Sequence, residues 1–197
     1  MPDTDDTDDD QHLTTRLAAA VRAARADQDL SVSALAERSG VSRAMIAKIE
    51  RGEAQPTAAL LWRLSAALGV TLSELIARAE RRDAQDDRVS RAADQPVWTD
   101  PDTGYVRRAV SPPANGGLEL VEVDLPAGAN IAIAADAYAF IHQQIWVLDG
   151  HLRFVEGEQV HELGAGDCLQ LAADPQPCAF VNPTRRATRY LVALTKR

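Results

Sequence analysis

The chain contains only two cysteines, and it lacks any long run of apolar residues. Without a secretory signal pattern, we expect a cytoplasmic protein in which Cys168 and Cys178 stay reduced and form no disulfide. No stretch approaches the length needed to cross a bilayer, so no membrane segment is predicted. Neither a Cys-x-x-Cys pair nor a His-rich spacing is present, which leaves no sequence signal for a bound metal.

Positive charge is also scarce, but it is concentrated in one segment. The chain has 21 Lys and Arg against 29 Asp and Glu, a net charge of -8. Residues 1–10 contain six Asp and no base, whereas residues 11–82 contain eleven bases against seven acids. Because the acidic tail has too little apolar surface to fold, we predict residues 1–11 to be disordered and to aid solubility. The basic segment marks a candidate surface for a polyanion.

The most informative segment is residues 30–52, LSVSALAERSGVSRAMIAKIERG, in which two short amphipathic helical patterns meet at Gly40. Ser31 or Ser33 is the predicted cap of the first helix, and Ser42 that of the second. A glycine at the junction tolerates the left-handed conformation that ends a helix abruptly. This is the layout of a helix-turn-helix, whose second helix enters the major groove of DNA.

The second helix of this motif divides into two faces. Ile46 and Ile49 form a buried stripe, while small and basic side chains occupy the opposite side. In the major groove of a double-stranded operator, that side would face base edges and phosphates. The alternative is an ordinary helical hairpin with a solvated basic face. The predicted DNA-binding residues are Ser42, Arg43, Ala44, Ala47, Lys48 and Arg51.

Three further helices are predicted around the motif, giving a five-helix domain over residues 12–80. The first spans about residues 13–26, where Leu17, Ala20, Val21 and Ala24 form an apolar stripe at helical spacing. Pro56 with Thr57 opens the fourth helix, and Gly69 ends it. Thr71 or Ser73 starts the fifth.

Residues 81–96 are polar and read as a linker, and the pattern after them changes to short apolar or alternating runs. Many short strands separated by regular turns predict an all-β sandwich or barrel over residues 97–197. The fold class is therefore a helical domain followed by a β domain. The predicted strands are 105–110, 118–125, 131–133, 145–148, 151–155, 168–171, 179–181 and 190–194.

The segment LAERSGVSRAMIAKIERG, with the residues from Pro56 to Leu75, resembles the Xre family of phage-repressor-like regulators over about residues 12–78. That family often has Gln at the start of its second helix, where it contacts phosphate; this chain has Val32, so the contact is not implied here. The resemblance implies base contacts by Arg43, Ala44 and Lys48, and phosphate contacts by Ser42 and Arg51.

The segments IWVLDGHLRF and LGAGDCLQLAADPQPCAFVN resemble the two strand-turn-strand motifs of a cupin, a jelly-roll barrel. Metal-binding cupins place two His and a Glu in the first motif and a His in the second. In this chain those positions hold mainly alanine and a glutamine. Alanine donates no lone pair and a neutral amide is a poor ligand, so we expect a barrel without metal or other cofactor. His142 could coordinate with Cys178, but two ligands rarely hold a catalytic ion. The corresponding positions hold Ala137 and Ala139, or Asp136 and Tyr138, followed by Gln143 and Cys178.

A barrel of this kind encloses a ligand cavity when its inward side chains are not all large. Because side chains alternate along a strand, only about half of the candidates can point inward. The alternatives are that the aromatic residues are plain core and that Cys178 packs as a small apolar residue. The candidate pocket residues are Tyr138, Phe140, His142, Gln144, Trp146, Phe154, Cys178 and Phe180.

Together the two resemblances imply an Xre-type transcriptional regulator, by default a repressor, with a C-terminal cupin sensor for a small-molecule effector. One recognition helix offers about three base-reading side chains, so we also expect a homodimer that reads two half-sites. Two alternatives remain open: a cupin isomerase or dioxygenase with a helical appendage, and an antitoxin-type interaction module with the same DNA reader.

Overall fold

The structure is a computed structural model that describes residues 6–79, 88–112 and 117–197, with side chains from residue 14 onward. Its backbone divides into two compact units, a helical one that holds nearly all of the first 83 residues and a strand-rich one that holds the rest. Each unit is described separately below. Within the described residues, no single helix is long and apolar enough to span a membrane; the pair Ala58–Ala67 and Leu72–Ala79 meets that test only jointly and is bent by 99°.

Five helices are present, as the sequence predicts. Their interior is formed by side chains from every helix, among them Val21, Leu35, Ile46, Leu64 and Leu75, all of them buried. The apolar stripe predicted for the first helix is buried in full. The helices are α1 Asp6–Asp27, α2 Val32–Ser39, α3 Arg43–Glu50, α4 Ala58–Ala67 and α5 Leu72–Ala79.

The caps of three helices are local hydrogen bonds. Ser31 Oγ accepts from the Ala34 amide at 3.0 Å, so Ser31 and not Ser33 caps α2. Helix α5 has a capping box: the Glu74 amide donates to Thr71 Oγ1 at 3.0 Å, and the Thr71 amide donates to Glu74 Oε2 at 2.8 Å. The cap of α3 is described with the site.

Helix α1 begins earlier than predicted, within the acidic segment expected to be disordered. It starts at Asp6 rather than near residue 13. Aspartates in the first turns of a helix interact favourably with the positive end of the helix dipole, which offsets the shortage of apolar side chains. Residues 1–5 of the predicted tail lie outside the described residues, as do residue 80, the last of the predicted helical domain, and residues 81–87 at the start of the predicted linker.

The second unit contains ten strands in two antiparallel sheets. One sheet has the order β1-β2-β3-β10-β5-β8 and the other β4-β9-β6-β7. Two such sheets packed face to face form the predicted jelly-roll barrel. The strands are β1 Val97–Thr99, β2 Val106–Ala109, β3 Leu118–Leu125, β4 Asn130–Ile133, β5 Ile141–Asp149, β6 His151–Glu156, β7 Gln159–Gly164, β8 Cys168–Gln170, β9 Cys178–Val181 and β10 Thr188–Lys196.

The interior of the barrel is filled by apolar and aromatic side chains from both sheets. The ring centroids of Phe154 and Phe180 are 4.9 Å apart. Phe180 stacks on Tyr190, with 5.7 Å between the ring centroids and an angle of 7° between the rings. Asn182 is fully buried, and its Nδ2 donates to the carbonyls of Leu125, Pro126 and Arg186. That side chain therefore joins the end of β9 to the end of β3.

Gly150 makes the tight turn between β5 and β6. Its φ is +86°, and a Cβ there would lie 2.9 Å from Thr188 Oγ1 and 3.0 Å from Thr188 Cα. Thr188 Oγ1 in turn donates to the His151 carbonyl at 2.7 Å. Only glycine satisfies both the backbone conformation and this close approach.

Candidate functional site: a nucleic-acid interface and a barrel pocket

A tight turn sets α3 against α2. Gly40 follows α2 with φ +66°, and its amide donates to the Ala36 carbonyl at 3.0 Å. Ser42 then caps α3 by accepting from the Met45 amide at 3.2 Å. Because a Cβ at Gly40 would meet nothing within 4 Å, the glycine is required by its left-handed conformation and not by space.

Helix α3 buries one face and exposes the other, as its sequence predicts. Ile46 and Ile49 are 0% and 1% exposed. The predicted DNA-binding side chains lie on the other side, so small, hydroxyl and basic side chains extend from the N-terminus of α3 to the residue after its end. Ser42, Arg43, Ala44, Lys48 and Arg51 are exposed, and Ala47 is half-buried between them and the core.

Arg51 has a partner that the sequence analysis missed. Gly52, with φ +71°, turns the chain back so that the Glu53 amide donates to the Lys48 carbonyl at 2.9 Å. The Glu53 carboxylate then accepts from Arg51 Nε and Nη2, both at 2.6 Å. Arg51 holds the pKa of the Glu53 carboxyl below its usual value, and Lys48 adds to the effect. The only sequence signal for this pair was an acid two residues after the basic one.

A second missed pair fixes the end of α3. Arg25 near the end of α1 donates from Nε and Nη2 to the two carboxylate oxygens of Glu50, at 2.7 and 2.9 Å. Its Nη1 donates to the Leu30 carbonyl at 2.7 Å. The Arg25 and Glu50 side chains are only 17% and 9% exposed. The guanidinium therefore ties together α1, the segment before α2 and the last residue of α3.

The predicted pocket residues of the barrel do not all come together. Along β5 the inward positions belong to Ile141, Gln143, Ile145 and Val147, so Gln144 and Trp146 lie on the outer face and do not line the interior. Alternation explains the difference, because Trp146 stands between two inward β-branched residues. Phe154 and Phe180 are part of the packed core, and Phe140 is half-buried.

The remaining three candidates, Tyr138, His142 and Cys178, do share a pocket. It also includes Gln143 and Arg197, and its cavity volume is about 10 Å³, room for about one water molecule. His142 is exposed and lies at the rim, while Tyr138 and Cys178 are each 6% exposed. Among the described residues, the Tyr138 hydroxyl lies beside the Cys178 thiol and meets no nitrogen or oxygen partner.

The two buried polar groups of this pocket, Tyr138 and Cys178, are neutral, whereas Glu156 and Arg197 also line it and carry charge. Burial raises the pKa of the Cys178 thiol to about 11, and burial raises the pKa of Tyr138 well above its usual value. Both groups are therefore protonated at neutral pH, and a metal ion would have to displace a proton to bind either of them. Ala137 and Ala139 donate no lone pair and Gln143 is a neutral amide, and among the described residues no group of three or more His, Cys, Asp or Glu is placed to hold a metal ion, so the positions that correspond to cupin metal ligands do not fit one.

The helical unit defines a class of protein. Its two helices are capped and joined by a glycine, and the second helix exposes basic side chains, which is the structure of a helix-turn-helix DNA-binding domain. The helix-turn-helix family HTH_3 matches residues 21–75.

Relatives of known type match one or both units. The HTH-type transcriptional regulator SutR of Escherichia coli (strain K12) is 39% identical over 66 residues, which cover 34% of this chain and 37% of SutR. The match thus spans little more than a third of that relative. The crystal structure of an HTH_3 family transcriptional regulator from Vibrio cholerae is similar over 94% of this chain and 98% of that one, with a TM-score of 0.77 and 26% identity.

One further solved structure matches the barrel alone. The Cupin_2 domain of an XRE family transcriptional regulator from Enterobacter cloacae covers 46% of this chain and 95% of its own, with 17% identity and a TM-score of 0.42. That score carries no argument about function. The fold class of the second unit follows instead from its ten strands in two antiparallel sheets.

Proposed function

We propose that the chain is a sequence-specific transcriptional regulator in which α3 reads a double-stranded DNA operator. The observation that carries the proposal is the exposed face of α3, where Arg43 and Lys48 flank the small Ala44 and Ala47. Long basic side chains reach guanine acceptors, and small ones let the helix approach the groove floor and the thymine methyl groups. The names of the Escherichia coli and Vibrio cholerae relatives, both transcriptional regulators, support it.

The functional form we propose is a homodimer. One copy of α3 presents few side chains that can discriminate bases, whereas a two-fold dimer reads two half-sites about 34 Å apart. The barrel is the part of the chain that would hold the two copies together and sense an effector. Among the described residues no group of three or more His, Cys, Asp or Glu could hold a metal ion, and the role we propose for the barrel is sensing rather than catalysis.

The effector site we propose is the pocket beside Tyr138 and Cys178. Its support is the buried hydroxyl of Tyr138, which lies beside the Cys178 thiol, meets no nitrogen or oxygen partner among the described residues and would donate to a ligand oxygen or nitrogen. Since the cavity has a volume of only about 10 Å³, binding would require side chains at its rim, such as His142 and Arg197, to move.

Alanine substitution tests the assignment of α3. Arg43→Ala and Lys48→Ala should each reduce the preference for operator over random DNA by roughly 5- to 100-fold, the value of one or two base contacts. Arg51→Ala should instead weaken binding to every sequence and lower the slope of log affinity against log salt by about 0.9. Fluorescence anisotropy of labelled operator and random duplexes over a salt series measures both quantities.

Arg153→Ala is the matched control, because it removes one exposed arginine from a barrel hairpin far from α3 in sequence. It should alter neither the preference nor the slope. Undiminished operator preference in the double variant Arg43→Ala, Lys48→Ala would refute the assignment of α3 as the reading helix.

A further inference from the structure

The outer face of the six-stranded sheet carries a row of apolar side chains that cross its long strands. In the strand register, Cys168 of β8 stands opposite Trp146 of β5, and Trp146 stands opposite Leu191 of β10. The next rows contribute Ala193 with Leu120 and Thr195 with Leu118. On β5 these two rows hold the polar residues Gln144 and His142. We call the set Trp146, Leu191, Ala193, Leu120 and Leu118 the outer apolar face.

The exposure of this face is unusual for a soluble barrel. Trp146 is 48% exposed and Leu118 is 54% exposed, and Val97 on the same side of β1 is 38% exposed. These are three of the five large hydrophobic side chains that are exposed in the described part of the chain. The inner face of the sheet already packs against the second sheet, so the outer face has no partner within the barrel. Exposed apolar patches that include tryptophan are typical of protein interfaces.

The charges beside the outer apolar face have both signs. Glu122 of β3 stands between Leu191 and Arg108 in one row, and Arg189 stands between Asp124 and Asp149 in the row beyond it. Arg189 Nη1 and Glu122 Oε1 lie 3.8 Å apart. A partner of one strong charge would meet repulsion at such an edge. A second copy turned by a two-fold axis would place its acids near these bases and its bases near these acids.

The size of the sheet also suits self-association. At a rise of about 3.3 Å per residue and a spacing of about 4.8 Å between strands, the six strands cover roughly 600 Å² of flat sheet. A standard stable interface buries about 800 Å² of accessible surface on each partner, and accessible surface exceeds flat area. One face of this sheet is therefore about the size that a homodimer needs.

We propose that a second copy of this chain packs on the outer apolar face, with Trp146 near the two-fold axis. The proposal names the surface of the dimer on which the proposed function depends, but its test requires no DNA. Two twisted sheets packed face to face would bury the five apolar side chains from each copy and cover Cys168 at the edge.

Trp146→Glu in the full chain is the primary test, measured by sedimentation over a concentration series. Burying a charge in place of an interface tryptophan should raise the dimer dissociation constant at least tenfold. The matched control is Val160→Glu, because Val160 is 57% exposed on β7 of the other sheet. That variant should dimerise like the unaltered chain. Circular dichroism melting should be alike for all three at concentrations low enough for every variant to be monomeric, since both positions are exposed.

The native thiol supplies a second measurement that needs no substitution. Cys168 is exposed in one copy, so a bulky maleimide should label it more slowly as the unaltered chain is concentrated. In Trp146→Glu the labelling rate should not depend on concentration. The proposal is overturned if the unaltered chain stays monomeric, if Trp146→Glu dimerises normally, if Val160→Glu dissociates equally, or if concentration never protects Cys168. If Trp146→Glu dissociates the dimer but the unaltered dimer binds no operator, only the proposed function is contradicted.

Discussion

At the scale of single residues, the feature that most changes the interpretation of the DNA-binding face is the carboxylate of Glu53. It accepts from Nε and Nη2 of the Arg51 guanidinium. The Xre resemblance implies that this guanidinium contacts a DNA phosphate. Because Arg51 lowers the pKa of this carboxyl, Glu53 is ionised at neutral pH and would be protonated only when the pH falls through that lowered value. Physiological changes of pH therefore do not release Arg51. A phosphate must compete for it.

Glu53→Gln should strengthen binding to all DNA sequences without changing the preference among them. Removing the charge frees Arg51 and removes a repulsion from the phosphates, so affinity should rise by roughly two- to fivefold at low salt, as expected for an exposed ion pair. Anisotropy titrations of operator and random duplexes measure the change. The gain should vanish when Arg51→Ala is added, and Glu158→Gln in the barrel should produce none. Equal affinity of Glu53→Gln and the unaltered chain would show that Glu53 does not compete with phosphate for Arg51.

At the scale of elements, the sequence predicts what depends on neighbours in the chain. The caps at Ser42 and at Thr71 each join a side chain to an amide three residues later, so the residue pattern is enough to find them. The tie between Arg25 and Glu50 is invisible at that range, because it joins residues 25 positions apart in different helices. The α3 surface was predictable because the helical period places the buried isoleucines on one face and the basic side chains on the other.

The barrel shows the same limit for strands. Strand β1 has three residues, too few for an alternation to be recognised, and β7 is missed because its Val160 is exposed while its Leu163 is buried. For the pocket, the deciding fact is which of the two alternating sets of β5 side chains points into the barrel. An alternating pattern shows that half of the side chains point inward, but only the pairing of β5 with β10 and β8 shows that Gln143 does and Trp146 does not.

The Arg25 and Glu50 pair should hold α3 in place, and a double-mutant cycle can measure this. Arg25→Ala or Glu50→Ala alone should destabilise the helical unit by about 2 kcal/mol, because each leaves a largely buried charge without its hydrogen bonds. The double variant should be less destabilised than the sum of the two, with a coupling of about 1 kcal/mol or more. Urea unfolding of the full chain, followed by helical circular dichroism at about 222 nm, gives these values.

An exposed pair in the other unit serves as the reference for that cycle. Arg153 Nε donates to Glu162 Oε1 at 2.6 Å, yet both side chains are 45% exposed. Arg153→Ala should leave the helical transition unchanged, since exposed ion pairs contribute little. If Arg25→Ala behaved like this control, α3 would owe its position to its apolar contacts alone.

At the scale of the whole molecule, the charge distribution and the two units point to one mode of approach to DNA. The chain carries a net charge of -8, so DNA repels it on average and attracts it only through the basic helical segment. Non-specific attachment through the acidic barrel is disfavoured, so α3 must supply most of the binding energy. The proposed dimer would add binding energy, because its second copy of α3 would bind the second half-site at a high effective concentration.

The spacing of the operator provides a test of this arrangement. A dimer that places two copies of α3 on one side of the duplex requires half-sites about 10 base pairs apart, and inserting about 5 base pairs turns the second half-site to the opposite side. Affinity should then fall by roughly 100-fold, to that of an isolated half-site, in anisotropy titrations at one fixed salt concentration. Trp146→Glu should bind the original and the expanded operator alike, and Val160→Glu should discriminate between them as the unaltered chain does. An operator that tolerates the insertion in the unaltered chain would mean that each copy of α3 binds DNA alone, because no linked pair of helices could follow a half-site through half a turn of the duplex.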